Sequence, residues 1–351
     1  MLSVGSKHMR YAERQMNVLS ERLGSEEKAA SIMQSPRLRL IHTTLESEDL
    51  GITKDVFEEI RSTTTLIIHN AWRLDFNLVF SSFTPQLDSV ANLARLAISS
   101  PHSVPPRILF TSSIGVVSSW SSSAVIPEEP LTDLSVAINN GYSESKAVAE
   151  KNLEKVVENT PVRSTIFRIG QLSGSAESGA WSTSDWVPLI VRSGQEMGML
   201  PECANRIDWL SVDIAASVIL ELRHSIHQTL HIVHPHPVTW SCVFREFALL
   251  RDKPLVPFTE WVERLEADAK GSAAMRTNPA LALLEFFKHL DDSCRVTESL
   301  REDGVWAEEI ATLSIERSMA GSHSLWSACR ITEEDVRRWV HYWKMRGFLH
   351  S

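Results

Sequence analysis

A tyrosine and a lysine four residues apart form the strongest chemical signal in this sequence, in the segment Tyr142-Ser143-Glu144-Ser145-Lys146. Two residues with this spacing lie on one face of a helix. The Lys146 ammonium can then favour the ionised Tyr142 phenol and move its pKa from ~10 toward neutral pH. A phenol tuned in this way can exchange a proton with a carbonyl oxygen while a hydride moves at the carbon. The pattern alone is common, and its alternative is a solvated helix face.

A serine stands where it can serve the same reaction. Ser113 closes the run FTSS (110–113), which is typical of the end of a buried strand. In an open parallel sheet, ligands bind beyond the carboxyl ends of the strands. A hydroxyl there can hold the carbonyl oxygen that Tyr142 also reaches. We therefore predict that Ser113, Tyr142 and Lys146 are the catalytic residues; the alternative for the serine is simple capping of the strand end.

Short apolar runs alternate with helical patterns over the first two-thirds of the chain. Strands are predicted near 38–42, 65–69, 107–111, 164–169 and 229–233, and helices near 54–61, 84–99, 142–157 and 213–223. The β-branched residues of the second run, TLIIH (65–69), indicate a strand buried on both faces. Because strands separated by crossover helices form parallel sheets, the predicted fold class is α/β with a doubly wound sheet.

The composition changes after about Gly174. Nine of the eleven tryptophans lie at or beyond Trp181, and the chain from Pro237 onward shows helical patterns without convincing strands. We therefore predict a dinucleotide-binding domain and a smaller, mostly helical substrate-binding domain. The first comprises residues 1–175 plus about 207–236, and the second comprises 176–206 plus about 237–351.

Composition excludes several classes of partner. The 351 residues are 43% hydrophobic and 23% charged, with a net charge of −9, as in an ordinary globular protein. No block of Lys or Arg could follow a phosphate backbone, so we predict no nucleic-acid partner. No apolar run approaches the ~20 residues of a membrane span. The first thirty residues are too charged for a signal peptide, and a cytoplasmic location is expected.

The cysteines and histidines do not form a metal-binding pattern. Cys203, Cys242, Cys294 and Cys329 are far apart in the chain, and we predict four free thiols in a reducing compartment. The histidine-dense stretch 224–236 runs from a helix end through a turn into a strand, so its rings should point in several directions. No metal site is predicted.

An ordered series of segments along nearly the whole chain resembles one known family. The segments are His69–Trp72 and Asp75–Asn77, Leu109–Ile114, Pro127–Pro130, Gly141–Lys146, Phe167–Gln171, Gly179–Trp181, Asp185–Pro188, Asp208–Leu210 with Val212–Asp213, and Trp339 with Trp343 and Gly347–Phe348. They resemble the thioester reductase domains that terminate fungal synthetases related to non-ribosomal peptide synthetases. These domains are extended short-chain dehydrogenases/reductases of the male sterility type, related to aminoadipate reductases, carboxylic acid reductases and fatty acyl-CoA reductases.

The resemblance implies a reaction and a role for each catalytic residue. Tyr142 would be the general acid, Lys146 its electrostatic partner, and Ser113 the second donor to the substrate oxygen. The implied reaction is NADPH-dependent reduction of an acyl thioester on the phosphopantetheine arm of an acyl or peptidyl carrier protein. The product would be an aldehyde or an alcohol. The implied cofactor-binding positions are Asn70, Ala71, Tyr142, Lys146, Ile169 and Gly170.

The sequence departs from this family at its beginning. A dinucleotide-binding domain should open with a strand, a Gly-rich turn and a helix whose N-terminus holds the diphosphate. Gly5, Gly24 and Gly51 are the only early glycines, and none follows an apolar strand. We therefore expect an incomplete, Rossmann-like sheet without its first strand and Gly-rich loop, and weakened binding of NADP(H). The alternative functions are a truncated, non-catalytic remnant or carrier-protein-binding module, and a cyclase-type releasing domain that works without redox chemistry.

Overall fold

Four parallel strands form the central sheet of the protein, as seen in a computed structural model. The structure describes residues 3–120, 125–271, 278–302 and 312–350, with the backbone alone described for 3–10 and 300–302. The strands are β1 (Leu66–His69), β2 (Arg107–Ser113), β3 (Ser164–Ile169), β4 (Leu172–Ser173), β5 (Leu200–Glu202), β6 (Arg206–Ile207), β7 (Leu210–Ser211), β8 (Thr229–Ile232), β9 (Val238–Thr239) and β10 (Leu255–Pro257). The central sheet has the order β1-β2-β3-β8, which confirms a parallel α/β fold of the Rossmann type.

Helices connect these strands and build the second half of the chain. They are α1 (Ser3–Leu23), α2 (Glu26–Met33), α3 (Lys54–Thr63), α4 (Thr84–Ile98), α5 (Gly141–Asn159), α6 (Trp186–Met197), α7 (Val212–Glu221), α8 (Trp240–Arg251), α9 (Phe258–Lys270), α10 (Leu284–Glu302), α11 (Glu316–Gly321), α12 (His323–Trp326) and α13 (Glu333–Met345). Short 3₁₀ turns cover Phe80–Phe83, Ile114–Val117, Leu134–Ala137, Leu222–His224 and Pro279–Leu283. Helices α3, α4, α5 and α7 lie where the sequence predicts them.

The first predicted strand is absent, and this prediction is wrong. Residues 38–42 have no regular secondary structure, and Leu38 and Leu40 are exposed. A strand requires a hydrogen-bonding neighbour, and β1 pairs only with β2 in the described chain. The expectation that 65–69 is buried on both faces also fails, because Ile67 is buried but Ile68 is 46% exposed. Both errors have one cause: β1 lies at the edge of the described sheet rather than inside it.

The other strands of the sheet alternate between two apolar cores. Ile108, Phe110 and Ile166 pack on one face against helices α4 and α5. Leu109 and Phe167 pack on the other face against α7. Helices thus cover both faces, which is why these strands are apolar along their whole length. The core on the second face also includes Leu325 and Ala328, from the last part of the chain.

A separate, tryptophan-rich core lies in the helical part. Trp181, Trp209, Trp240, Trp261, Trp339 and Trp343 belong to it. The expectation that no strands follow residue 237 is wrong in detail, because β9 pairs with β6 and β10 pairs with β5. These two-stranded pairings are too short to show as a period in the sequence. The exact division of the chain into two domains stays a prediction.

One pair of cysteines corrects the prediction of four free thiols. Cys203 and Cys294 form a disulfide with a Cα–Cα distance of 5.5 Å, although they are 91 residues apart in sequence. The pair joins the segment after β5 to α10, which only the packing of the helical part brings together. Cys242 and Cys329 are free and exposed. Among the described helices, none is sufficiently long and apolar to cross a membrane.

Candidate active site

Tyr142 lies in the first turn of α5, and local contacts set the position of that turn. The Asn140 side chain caps the helix by accepting a hydrogen bond from the Ser143 amide at 2.9 Å. Gly141 allows the helix to touch the loop after β1, because a Cβ there would lie 2.4 Å from the carbonyl oxygen of Leu78. The start of α5 is therefore held against a neighbouring loop with no space for a side chain.

Ser113 is brought to Tyr142 by the end of β2. Its hydroxyl accepts a hydrogen bond from the Gly115 amide at 3.1 Å, which begins the turn after the strand. The Ser113 side chain is also close enough to the Tyr142 phenol to lower its pKa. Both side chains are partly exposed at the carboxyl edge of the sheet. The two side chains are thus neighbours at this edge, where an oxygen atom of a ligand could contact both hydroxyls.

The predicted lowering of the Tyr142 pKa is wrong in direction. Burial raises the pKa of this phenol to about 12, and the neighbouring Ser113 side chain opposes that rise. Desolvation disfavours the phenolate more than the neighbouring groups favour it. Tyr142 is consequently a protonated phenol at neutral pH, which suits a proton donor better than a base.

Lys146 lies deeper than the sequence suggests. It is 2% exposed, and its amine donates a hydrogen bond to the Thr111 carbonyl at 2.5 Å. The Nζ atom is 4.2 Å from the ring centroid of Trp72 and 5.9 Å from that of Tyr142. Burial lowers the pKa of Lys146 to about 7, while the charge of Glu150 raises it. The amine is therefore beside Tyr142, but Trp72 and the end of β2 surround it.

The predicted cofactor-binding residues all lie at the same edge of the sheet. Asn70 and Ala71 follow β1 and are exposed, and the Asn70 side chain accepts a hydrogen bond from the Thr111 hydroxyl at 2.9 Å. Ile169 ends β3 at the level of Ser113 in the strand register. A Cβ on Gly170, the residue after Ile169, would lie 2.7 Å from Val233. A lack of side chain at this point keeps β3 close to β8.

A row of polar residues below this edge was not identified as functional from the sequence. Ser112, Arg168 and His231 are register partners on β2, β3 and β8. Glu150, on α5, accepts a hydrogen bond from the Ser112 hydroxyl, and it accepts others from the Arg168 guanidinium at 2.8–3.2 Å. The sequence contains a signal for this row, because an arginine in the apolar strand STIFRI (164–169) is buried and requires a buried partner.

An aromatic contact joins the Tyr142 site to the helical part. The Phe76 ring is 5.4 Å from that of Tyr142 and stacks on Phe286 of α10 at 5.2 Å. Phe286 in turn lies 5.8 Å from Trp186, at the start of α6. The Asn77 amide also donates to the Ala282 carbonyl at 3.2 Å. Phe76, Phe286 and Trp186 therefore form an aromatic wall beside Tyr142, with residues from both parts of the chain.

The histidines of the 224–236 stretch have separate partners. Nδ1 of His231 is 2.7 Å from the Ser314 carbonyl, and Nε2 of His234 is 2.8 Å from the Cys329 carbonyl. Burial lowers the pKa of His231 to about 4, so its ring is neutral. In the described ranges no group of three His, Cys, Asp or Glu side chains could hold a metal ion.

The geometry supports the polarisation of one carbonyl group. Two neutral hydroxyls, from Ser113 and Tyr142, can donate to an oxygen on which negative charge develops. The Lys146 amine lies behind them, and its pKa of about 7 means that it is partly charged at neutral pH. The aromatic wall keeps one side of the position apolar, which strengthens such hydrogen bonds by excluding water.

Comparisons with known proteins agree with this arrangement. The NAD-binding family model described as "Male sterility protein" matches residues 5–219. The chain is 37% identical to the adenylate-forming reductase Nps10 of Heterobasidion annosum, over 91% of this chain and 30% of that protein. It is 28% identical to a carboxylic acid reductase of Neurospora crassa, over 86% of this chain and 29% of that protein. The chain thus spans about 30% of the length of these curated relatives.

A solved structure shares the fold. The terminal R domain from the myxalamid PKS-NRPS biosynthetic pathway has a TM-score of 0.76 with this chain and is 19% identical to it. The match covers 97% of this chain and 83% of that domain. The helical part is therefore included in the shared architecture.

Proposed function

The chain belongs to the male sterility protein family of NAD-binding domains, and we propose that it reduces an acyl thioester with NADPH. The thioester is held on the phosphopantetheine arm of an acyl or peptidyl carrier protein, and the product is an aldehyde or an alcohol. The observation that carries this proposal is that Ser113 at the end of β2, Tyr142 in the first turn of α5 and Lys146, which donates to the Thr111 carbonyl, lie together at one edge of the sheet.

The residues fit one end of the proposed cofactor. The exposed residues Asn70 and Ala71 and the partly exposed Ile169 and Gly170 leave space at the carboxyl edge of the sheet. When bound there, a reduced nicotinamide supplies a hydride. The diphosphate end has no such fit within residues 3–120, because no Gly-rich turn there leads from a strand into a helix. We infer that this chain alone binds NADP(H) weakly.

The residues of the site divide the work on the thioester. Ser113 and Tyr142 donate hydrogen bonds to the carbonyl oxygen and stabilise the negative charge that develops there during reduction. Tyr142 then gives its proton to that oxygen, because the developing alkoxide is a stronger base than the Tyr142 phenolate even with the raised pKa of the phenol. The C–S bond of the resulting thiohemiacetal then breaks, which releases the pantetheine thiol and leaves the aldehyde. The nearby Lys146 ammonium stabilises the phenolate that remains.

The acyl chain and the phosphopantetheine arm would approach the site along the aromatic wall, between the two parts of the molecule. Phe76, Phe286 and Trp186 line this approach. An apolar surface of this kind suits the acyl group and excludes water from the reacting carbonyl.

The test uses a synthetic acyl-S-pantetheine thioester and NADPH at millimolar concentration, so that weak cofactor binding does not hide turnover. We expect oxidation of NADPH in proportion to aldehyde, with a large loss of turnover in Ser113→Ala. Thioester binding without NADPH oxidation would refute reduction and favour the carrier-binding module. Product release that does not depend on NADPH would favour the cyclase-type function.

A further inference from the structure

The ion pair of Glu150 and Arg168 lies directly below the candidate site, and the proposed reaction does not use it. The two side chains are 5% and 1% exposed, and the guanidinium meets the carboxylate at 2.8 Å. A buried pair of this kind adds little stability compared with apolar residues of the same volume. Its position is therefore more informative than its strength.

Glu150 is one helical turn after Lys146 on α5, so the two side chains share a face. Other groups near the Lys146 amine are neutral close to pH 7. The pKa of His69 falls to about 4, because burial and the Lys146 charge disfavour the imidazolium. The pKa of Tyr142 rises to about 12. The Thr111 carbonyl carries only a dipole, so Glu150 supplies the negative charge that acts on this amine.

The same carboxylate also holds the end of β2. The Ser112 hydroxyl donates to Glu150, and Ser112 immediately precedes Ser113. Arg168, in the neighbouring position of β3, fixes the carboxylate from the opposite side. His231 continues the row on β8 at 3.4 Å from Arg168, and its lowered pKa keeps it neutral. The carboxylate is thus connected to both the lysine and the strand end of the site.

We propose that Glu150 is a positioning residue that keeps the Lys146 amine charged and fixes the strand end that carries Ser113. This inference rests on the proposed reductase function for its effect on turnover. Glu150 is buried beneath the site and contacts Ser112 and Arg168, so it acts through them and through Lys146.

Removal of the Glu150 charge has a defined sign. The carboxylate raises the pKa of Lys146 against the effect of burial, so its loss lowers that pKa below about 7. A nearby opposite charge shifts a pKa by on the order of one unit. The charged fraction of Lys146 above its midpoint should then fall about tenfold, while little changes at acidic pH. Turnover that depends on the ammonium should lose its alkaline side first.

The experiment follows the titration of Lys146 itself by NMR of protein labelled with carbon-13 at the lysine Cε. The Lys146 signal is the one that Lys146→Met removes. We expect Glu150→Gln to lower its midpoint by on the order of one unit, and Glu150→Asp to restore most of it. Glu158→Gln is the matched control, since it removes an exposed carboxylate of the same helix that is paired with Lys155. A wild-type midpoint in Glu150→Gln would overturn the proposal.

Folding and function are separated by two further measurements. If Glu150→Gln does not fold, the variant Glu150→Gln/Arg168→Met removes both charges, and an unchanged Lys146 midpoint there overturns the proposal equally. The pH profile of NADPH oxidation is then compared between variants. An alkaline limb that moves with the NMR midpoint supports the proposal, and one that stays in place refutes it. A midpoint that moves in a protein without turnover refutes the reductase function but supports the coupling of Glu150 to Lys146.

Discussion

Replacement of Tyr142 by phenylalanine separates the proposed chemistry from folding. The ring keeps its edge contacts with Phe76 at 5.4 Å and with Phe83 at 6.3 Å. The hydroxyl carries no charge at neutral pH, because burial holds its pKa at about 12, so no ion pair is lost. Loss of a general acid lowers turnover by ~10²–10⁴-fold. This factor corresponds to about 2.7–5.4 kcal/mol of transition-state stabilisation.

The assay compares NADPH oxidation by wild type, Tyr142→Phe and Tyr342→Phe at saturating thioester and millimolar cofactor. Tyr342 is a matched control, because its hydroxyl donates to the Glu21 carbonyl at 3.2 Å, away from the site. Thermal unfolding of the three proteins should agree within a few degrees. If Tyr142→Phe turned over at nearly the wild-type rate, Tyr142 would not be the acid. Equal losses in both variants would instead assign the effect to folding.

Four further outcomes are expected. Titration calorimetry of this chain with NADPH should show binding ~10³-fold weaker than a site with a Gly-rich diphosphate loop gives. Three charge-assisted hydrogen bonds to the diphosphate, at ~1.5–3 kcal/mol each, account for at least that factor. Micromolar affinity would contradict this expectation. Removal of the disulfide by Cys203→Ser should lower the free energy of unfolding by ~2–4 kcal/mol in denaturant titrations. An unchanged midpoint would show that the bond does not stabilise the folded chain. Gly141→Ala should destabilise the protein by ~1–3 kcal/mol, because the methyl group would meet loop backbone at 2.4 Å; a neutral effect would mean that α5 can move. The contribution of His231 to the free energy of unfolding should be fully present above pH 6.5 and should be lost toward pH 4, because the pKa of this buried imidazole drops from 6.5 to about 4 on folding. The loss amounts to ~1.4 kcal/mol for each pH unit in that range. His231→Asn should flatten this pH dependence in denaturant titrations.

Most of the sheet, and the positions of Ser113, Tyr142 and Lys146 at its edge, could be predicted from local sequence. The runs at 107–111 and 164–169 are apolar because helices cover both faces of β2 and β3, and this burial leaves a direct record in composition. The Tyr142–Lys146 spacing depends only on the period of one helix. The strand predicted at 38–42 failed because a strand also requires a partner, which no local pattern specifies.

The sequence by itself determined the parallel crossover fold, the family resemblance, and the presence of Ser113, Tyr142 and Lys146 at one edge. Only the tertiary structure decided their electrostatics. It buries Lys146 beneath Trp72, raises the pKa of Tyr142 rather than lowering it, and places Glu150 against Arg168. It also joins Cys203 to Cys294 across 91 residues. Apolar patterning is a local property of a chain, whereas desolvation, charge pairing and disulfide formation depend on neighbours that are distant in sequence.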